Sequence, residues 1–284
     1  MAELPASVRH QAAAVLRAWG ILTAGLRPPP EFLVIGTKRG GTTSLGRYLF
    51  AHPQVTPLFP ARISPKGVRY FDEHADRDDR WYRSHFATVL ARGPAMRPRR
   101  FAGEATANYL FDPEIAERAH RAAPEARIVA LVRDPVDRAW SHWRERTRRG
   151  VETLSFEDAL AAEEERIDAA RHRGALGLAA NLAYRGQGCY ADLLPAWLDR
   201  FGPERMLVLV SEEFFGDPAA TYAQALTFLG LRPHDLSEYR PWNFQPPEAE
   251  MRGDTREALE SAFEPENRRL EALLGRSLPW RHRR

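Results

Sequence analysis

A chain of 284 residues is long enough for one sizeable core, and its 44% hydrophobic and 28% charged residues are ordinary for a soluble globular protein. Its 41 Lys and Arg against 38 Asp and Glu leave a net charge of +3, too mild a balance for a general nucleic-acid binder. The single cysteine, Cys189, excludes an intrachain disulfide and any multi-cysteine metal site, which suits a reducing, cytoplasmic setting.

Residues 1–30 read as an amphipathic leader helix and a Pro-rich linker, and residues 31–284 as a single domain. The apolar stretch from Val15 to Gly25 is broken by Arg17 and followed by Arg27-Pro-Pro-Pro30, too short for a secretory signal or a bilayer span. A plain surface helix is the first expectation for residues 7–25, with peripheral membrane contact as the alternative. After the proline stop, Phe32-Leu-Val-Ile35 is a short apolar run of the buried parallel-strand type. A Gly/Thr loop over 36–44 follows, and residues 45–51 continue as a helix. A strand is expected near 54–57, a loop or strand over 68–71, a helix over 77–90 and a strand over 99–104. Residues 113–123 form a helix capped by Asp112, with proline at its first position. The clearest strand is 127–132. It ends in Arg133-Asp-Pro135 and enters a helix whose Trp140 and Trp143, three apart, favour packing over ligand stacking. One charged helix over 154–173 is expected, then helices over 189–201, 219–229 and 255–274 and a strand over 206–210. Such alternation gives a three-layer α/β fold, a central parallel sheet flanked by helices.

The loop Gly36-Thr-Lys-Arg-Gly-Gly-Thr-Thr-Ser44 has the glycine spacing of a Walker A loop at Gly36 and Gly41, but Thr42 stands where that motif carries its lysine. A nucleotide-hydrolysing loop sets its lysine after the last glycine and uses Ser or Thr to hold Mg²⁺. Here the cations, Lys38 and Arg39, precede the Gly40-Gly41 pair. Amides from Gly40 to Thr43, with the start of the next helix, make an anion cradle, and the hydroxyls of Thr42, Thr43 and Ser44 add donors without a metal. A second anion site is expected at Arg133, on the carboxyl end of the clearest strand, with Ser141 eight residues on.

A strand ending in Arg-Gly-Gly-Thr-Thr-Ser, and a later one ending in Arg-Asp-Pro-x-x-Arg-x-x-Ser, together resemble the family of sulfotransferases that use 3′-phosphoadenosine-5′-phosphosulfate (PAPS). The likeness is closest to the heparan-sulfate type and its bacterial relatives. It runs from Phe32 to Trp280 and takes in Tyr70-Phe-Asp72, Gly103-Glu-Ala-Thr-Ala-Asn-Tyr109, Gly188-Cys-Tyr190 and Leu273-Leu-Gly-Arg-Ser-Leu-Pro-Trp280. The resemblance implies a P-loop-like fold and sulfuryl transfer from PAPS, without a metal, to a carbohydrate or small natural product. A hydroxyl acceptor is expected in preference to an amine, and adenosine 3′,5′-bisphosphate is the product. By the same resemblance the 5′-phosphosulfate lies on Lys38 to Ser44 and the 3′-phosphate on Arg133 and Ser141. Tyr190 is expected to line the donor pocket, and Lys66 and Asp72 to touch the acceptor.

The chain departs from the family pattern at two places. Arg39 occupies the position of the family's catalytic lysine, one after Lys38. Successive loop residues point apart, and Arg39 is expected to meet the bridging oxygen. The family's glutamate before the aromatic pair is replaced by Gly67, so a base must come from elsewhere. Glu104, at a strand end, is the first expectation, ahead of Asp72 and His74. The basic runs 92–100 and 144–149 read as solvated surface in preference to a landing place for an anionic acceptor. The rival readings are a small-molecule P-loop kinase using ATP and Mg²⁺, and a non-catalytic nucleotide-binding protein.

Overall fold

The computed structural model of the chain describes residues 6–60, 67–93, 100–242 and 250–280. Helix α1 (Ala6–Leu22) precedes the proline linker, and β1 (Phe32–Gly36) follows it. Every residue of β1 is buried, as a strand covered on both faces must be. Next come α2 (Thr42–Ala51) and the short edge strand β2 (Val55–Thr56). The helix expected over 77–90 is two short ones, α3 (Asp79–Arg83) and α4 (Val89–Arg92). Each begins at its own cap: Asp78 accepts the Trp81 amide and Thr88 the Ala91 amide, so the second cap restarts the chain. Residues 67–69 are loop, with Arg69 left-handed at φ 58°.

β3 (Phe101–Ala105), α5 (Pro113–Ala122) capped by Asp112, β4 (Arg127–Val132) and α6 (Pro135–Arg148) follow the sequence pattern closely. The single helix expected over 154–173 is instead α7 (Phe156–Ala161) and α8 (Glu163–His172). The break at Ala162 turns Glu163 inward, where its carboxylate accepts the Arg185 and Gly186 amides, both at 2.7 Å. A helix the pattern did not suggest, α9 (Leu176–Leu182), comes before α10 (Tyr190–Phe201), β5 (Met206–Val210), a second unforeseen helix α11 (Ser211–Gly216), α12 (Pro218–Leu229) and α13 (Gly253–Leu274).

The strands form one all-parallel sheet in the order β2-β3-β1-β4-β5. Side chains alternate across it. Leu33, Ile35, Ile128 and Ala130 enter one core with Ile115 of α5 and Leu194 and Trp197 of α10. Phe32, Val34, Val129 and Leu131 enter the other, against Leu45 and Leu49 of α2 and Leu226 of α12. From β1 the chain goes to the edge strand β2, returns through β3 beside β1, then crosses to β4 on the other side of β1. The strand order therefore reverses between β1 and β4, where open α/β sheets form a ligand crevice at their carboxyl ends. Trp140 and Trp143 stack on each other at 4.9 Å and pack against Phe156, as their spacing suggests.

The leader lies against this body. Arg17 donates to Ser84 Oγ (2.9 Å) and to the Phe59 carbonyl (3.0 Å), and Arg27 reaches the Phe86 carbonyl. Arg92, read from sequence as solvated, is buried. It gathers the carbonyls of Pro28 and Pro29 and the Glu31 carboxylate, fixing the linker to the end of α4. Residues 94–99 of that basic run lie outside the described residues.

Candidate active site

The loop after β1 is shaped by its backbone. Thr37 N–H bonds the Leu131 carbonyl at 2.7 Å, tying it to β4, and Gly40 N–H returns to the Thr37 carbonyl at 3.0 Å. Gly41 sits at φ 99°, a conformation that side chains resist, and a Cβ there would press the rings of Phe214 and Phe215 at 3.1 Å. Helix α2 begins directly after it, three residues earlier than expected. Its first turn closes from Leu45 N–H to the Gly41 carbonyl at 3.1 Å, and the amides of a helix's first turn point out from its N-terminus. Arg39 is left-handed at φ 70°, which turns its carbonyl toward Arg133 Nη1 at 3.0 Å, while its own Nε donates to Ser141 Oγ at 3.0 Å. The two sets of residues read from sequence as anion sites therefore meet at one place. The Arg133 guanidinium faces the glycine turn, and both line a single cleft of about 720 Å³ with Thr42 and Thr43.

The cleft is electropositive. Lys38, Arg39, Arg69, Arg133, Arg146 and Arg149 line it against Asp137, Glu145 and Glu212. Burial, reinforced by Arg133, Arg148 and Arg149, pushes the Arg39 guanidinium down to about 10, with Glu145 opposing. Burial likewise lowers the Lys38 ammonium to about 8. Both are charged at neutral pH but under-solvated, the condition in which an incoming anion is bound most strongly. The two side chains diverge, as neighbouring loop residues do. Lys38 Nζ donates to Asn181 Oδ1 at 2.6 Å and pairs with Glu145 Oε2 at 3.4 Å. Arg146 and Arg149 line the cleft, so the run 144–149 is not simply solvated surface.

Other residues singled out in the sequence are placed differently. Ser44 is fully buried and accepts the Trp242 amide at 2.9 Å, and the Gly40 carbonyl takes Ser211 Oγ at 2.6 Å; neither lines the cleft. Tyr190, expected to line a donor pocket, is buried beneath the β4 end and does not line the cleft. Its hydroxyl donates to the Arg133 carbonyl (2.9 Å) and accepts the Arg133 amide (3.3 Å), holding the main chain that carries the guanidinium. Glu104 is wholly buried and its oxygens receive Val68 N–H, Tyr82 O–H, Thr106 O–H and Tyr109 O–H. Burial pushes its carboxyl up and those donors pull it back, so it anchors the 67–69 loop to β3 and does not face the cleft as a base. Asp72 is also buried away from the cleft, and burial raises its carboxyl to about 6. His74 packs its ring on Trp81. Lys66 lies outside the described residues.

Gly67 does line the cleft, and a Cβ there would fall 2.3 Å from Thr106 Oγ1 and 2.5 Å from the Ala105 carbonyl. No side chain fits at the position where the resembled family carries glutamate. Sequence reasoning missed Glu145, Asn181, Phe215 and Trp242. Trp242 faces the Arg47 guanidinium at 3.8 Å and lines the cleft from a loop with no local pattern to mark it. Glu145 had a signal: it stands four residues after Ser141, on the same helix face.

Comparison with known proteins bears on the family and the fold. The model of the sulfotransferase family matches residues 30–235. A solved sulfotransferase from Alicyclobacillus acidocaldarius is 34% identical, with 89% of this chain and 99% of that one covered and a TM-score of 0.67. The human bifunctional heparan sulfate N-deacetylase/N-sulfotransferase 3 is 29% identical over 72% of this chain and 23% of its own length. Heparan sulfate glucosamine 3-O-sulfotransferase 6 of Mus musculus is 31% identical over 76% of this chain and 58% of its own. The chain thus spans about a quarter of the first of these curated relatives and over half of the second.

Proposed function

This chain belongs to the sulfotransferase family, and we propose that it transfers a sulfuryl group from PAPS to a hydroxyl of a carbohydrate or small natural product. The observation that carries the donor assignment is the 3.0 Å contact of Arg133 Nη1 with the Arg39 carbonyl, which merges the two anion cradles into one cleft. Bound PAPS supplies the activated sulfuryl group; the chain supplies charge and position. The first-turn amides of α2, with Thr42 and Thr43, suit the phosphosulfate. Arg133 and Ser141 suit the 3′-phosphate. Arg39, held on Ser141, stands between them, where its charge can meet that developing on the leaving phosphate.

The named relatives act on heparan sulfate through nitrogen in one case and oxygen in the other, which supports a carbohydrate acceptor for this chain. A cytoplasmic working place is part of the proposal, supported by the single cysteine. So is contact of α1 with an anionic membrane surface, supported by the exposure of Val15, Trp19 and Leu22 along one stripe.

Isothermal titration with adenosine 3′,5′-bisphosphate, and separately with ATP–Mg²⁺, tests the donor reading. Metal-independent binding of the bisphosphate is expected, weakened about 10- to 100-fold in Arg133→Ala by loss of a charge-assisted contact. A preference for ATP–Mg²⁺ would assign the cleft to phosphoryl transfer instead.

A further inference from the structure

Among the described residues three carboxylates line the cleft, and two are already engaged. Asp137 accepts Arg256 Nη2 at 3.0 Å. Glu212 accepts the Asp134 amide on one oxygen at 3.0 Å and Trp280 Nε1 on the other at 2.9 Å. Glu145 differs. It is only 4% exposed, its Oε1 pairs with Arg149 Nε at 2.6 Å, and its Oε2 accepts no hydrogen bond among the described residues. The Lys38 ammonium stands 3.4 Å from that oxygen as an ion pair, without the alignment of a hydrogen bond. A buried carboxylate oxygen with unused lone pairs, on a side chain that lines a cleft, is a costly arrangement unless a proton donor arrives there.

Resting on the sulfotransferase reading above, we propose that Glu145 is the general base of the transfer, receiving the acceptor's proton on Oε2. The helix places it well. Ser141 and Glu145 are one turn apart on α6, about 6 Å along the axis, so the carboxylate lies one turn beyond the hydroxyl that holds Arg39. Like charge keeps a carboxylate from serving the polyanionic donor, whereas a neutral hydroxyl or amine gains from it. Lys38 and Arg149 flank Glu145 as cationic partners beside that donor, and Asn181 fixes Lys38 through its 2.6 Å contact. Lys38 is on this reading a positioning residue.

The step balances without a further reactant. The acceptor oxygen or nitrogen forms its bond to sulfur, the bond from sulfur to the bridging oxygen breaks, and its electron pair leaves with the 5′-phosphate of adenosine 3′,5′-bisphosphate. The acceptor's proton passes to Glu145 Oε2 and from there to solvent. This gives the chain a base on α6 in place of the glutamate that the contacts around Gly67 forbid.

The test compares wild type with Glu145→Gln, Glu145→Asp and Lys38→Met. Labelled sulfuryl transfer from PAPS is followed both to N-desulfated heparin and to water, alongside titration with adenosine 3′,5′-bisphosphate. Glu145→Gln is expected to slow transfer by about 100-fold or more while binding the bisphosphate as tightly as wild type or a few-fold tighter, because a like charge has gone. Glu145→Asp should recover part of the rate, and Lys38→Met should lose less than Glu145→Gln. Transfer by Glu145→Gln within threefold of wild type overturns the proposal. So does a slow Glu145→Gln that has also lost bisphosphate affinity tenfold, since the residue would then serve the donor site. A wild type that binds no bisphosphate is a different failure, that of the donor reading.

Discussion

Burial raises the Asp72 carboxyl to about 6, and its nearest cation, Arg69 Nη2 at 3.5 Å, makes no aligned hydrogen bond to it. A carboxyl whose folded value exceeds its unfolded one contributes most below the unfolded value, near pH 4. That contribution is lost as pH rises through about 6. Asp72→Asn is therefore expected to stabilise the fold at pH 7, by up to about 3 kcal/mol from roughly 2 pH units of displacement, and to change little at pH 4. Thermal melts at both values check this, and a destabilised variant at pH 7 contradicts it. Asp72 also shows where sequence reading reaches its limit at this scale. A carboxylate in an aromatic run looks the same in a sequence whether it faces ligand or core. Glu104 is the same case, since only coordinates reveal the four donors around it. Arg39 and Arg133 were legible as cleft residues because each stands in the loop after a strand end, and Ser141 because it lies on the helix that Arg133 leads into.

Elements were legible where burial is uniform. β1, β4 and β5 are near-continuous apolar runs because a parallel sheet is covered on both faces, and each lies within a residue of its expected span. Helices covered on one side were legible as to existence but not continuity. Thr88 and Ala162 break helices that polar periodicity runs straight through, one by offering a second cap and the other to turn Glu163 inward. Helix α9 escaped notice because Leu-Gly-Leu-Ala-Ala carries no polar face to set a period. The junction of β4 and α6 yields a prediction of its own. Tyr190, from α10, meets both the amide and the carbonyl of Arg133, so Tyr190→Phe leaves two part-buried main-chain groups without that partner. A loss of about 1–3 kcal/mol in stability is expected, with a five- to tenfold weaker hold on adenosine 3′,5′-bisphosphate as the guanidinium loses its footing. Denaturant melts and titration measure the two effects. A Tyr190→Phe that binds normally would show that the β4 end needs no such clamp.

At the scale of the whole molecule, the reversal of strand order brings the loops after β1 and β4 together, and the leader helix lies outside that logic. Its two faces do different things. The inner face docks, with Arg17 on Ser84 and the Phe59 carbonyl, and with Gly20 so close that a Cβ would sit 2.9 Å from the Ser84 carbonyl. The outer face exposes Val15 by 69%, Trp19 by 58% and Leu22 by 73%, at the four- and three-residue steps of one helical stripe. Substitutions on the two faces should therefore separate stability from surface binding. Gly20→Val forces the helix off the body and is expected to lower stability by about 1–3 kcal/mol, the usual range for overpacking. The triple variant Val15→Ser, Trp19→Ser, Leu22→Ser changes only side chains that are more than half exposed. It should melt as wild type does, yet lose sedimentation with phosphatidylglycerol vesicles, because the apolar area that would enter the lipid interface has gone. Wild-type protein that stays in the supernatant at low salt, where a net charge of +3 favours an anionic surface most, would remove the membrane from the function of α1. The inner-face prediction would stand unaffected, since it depends on packing alone.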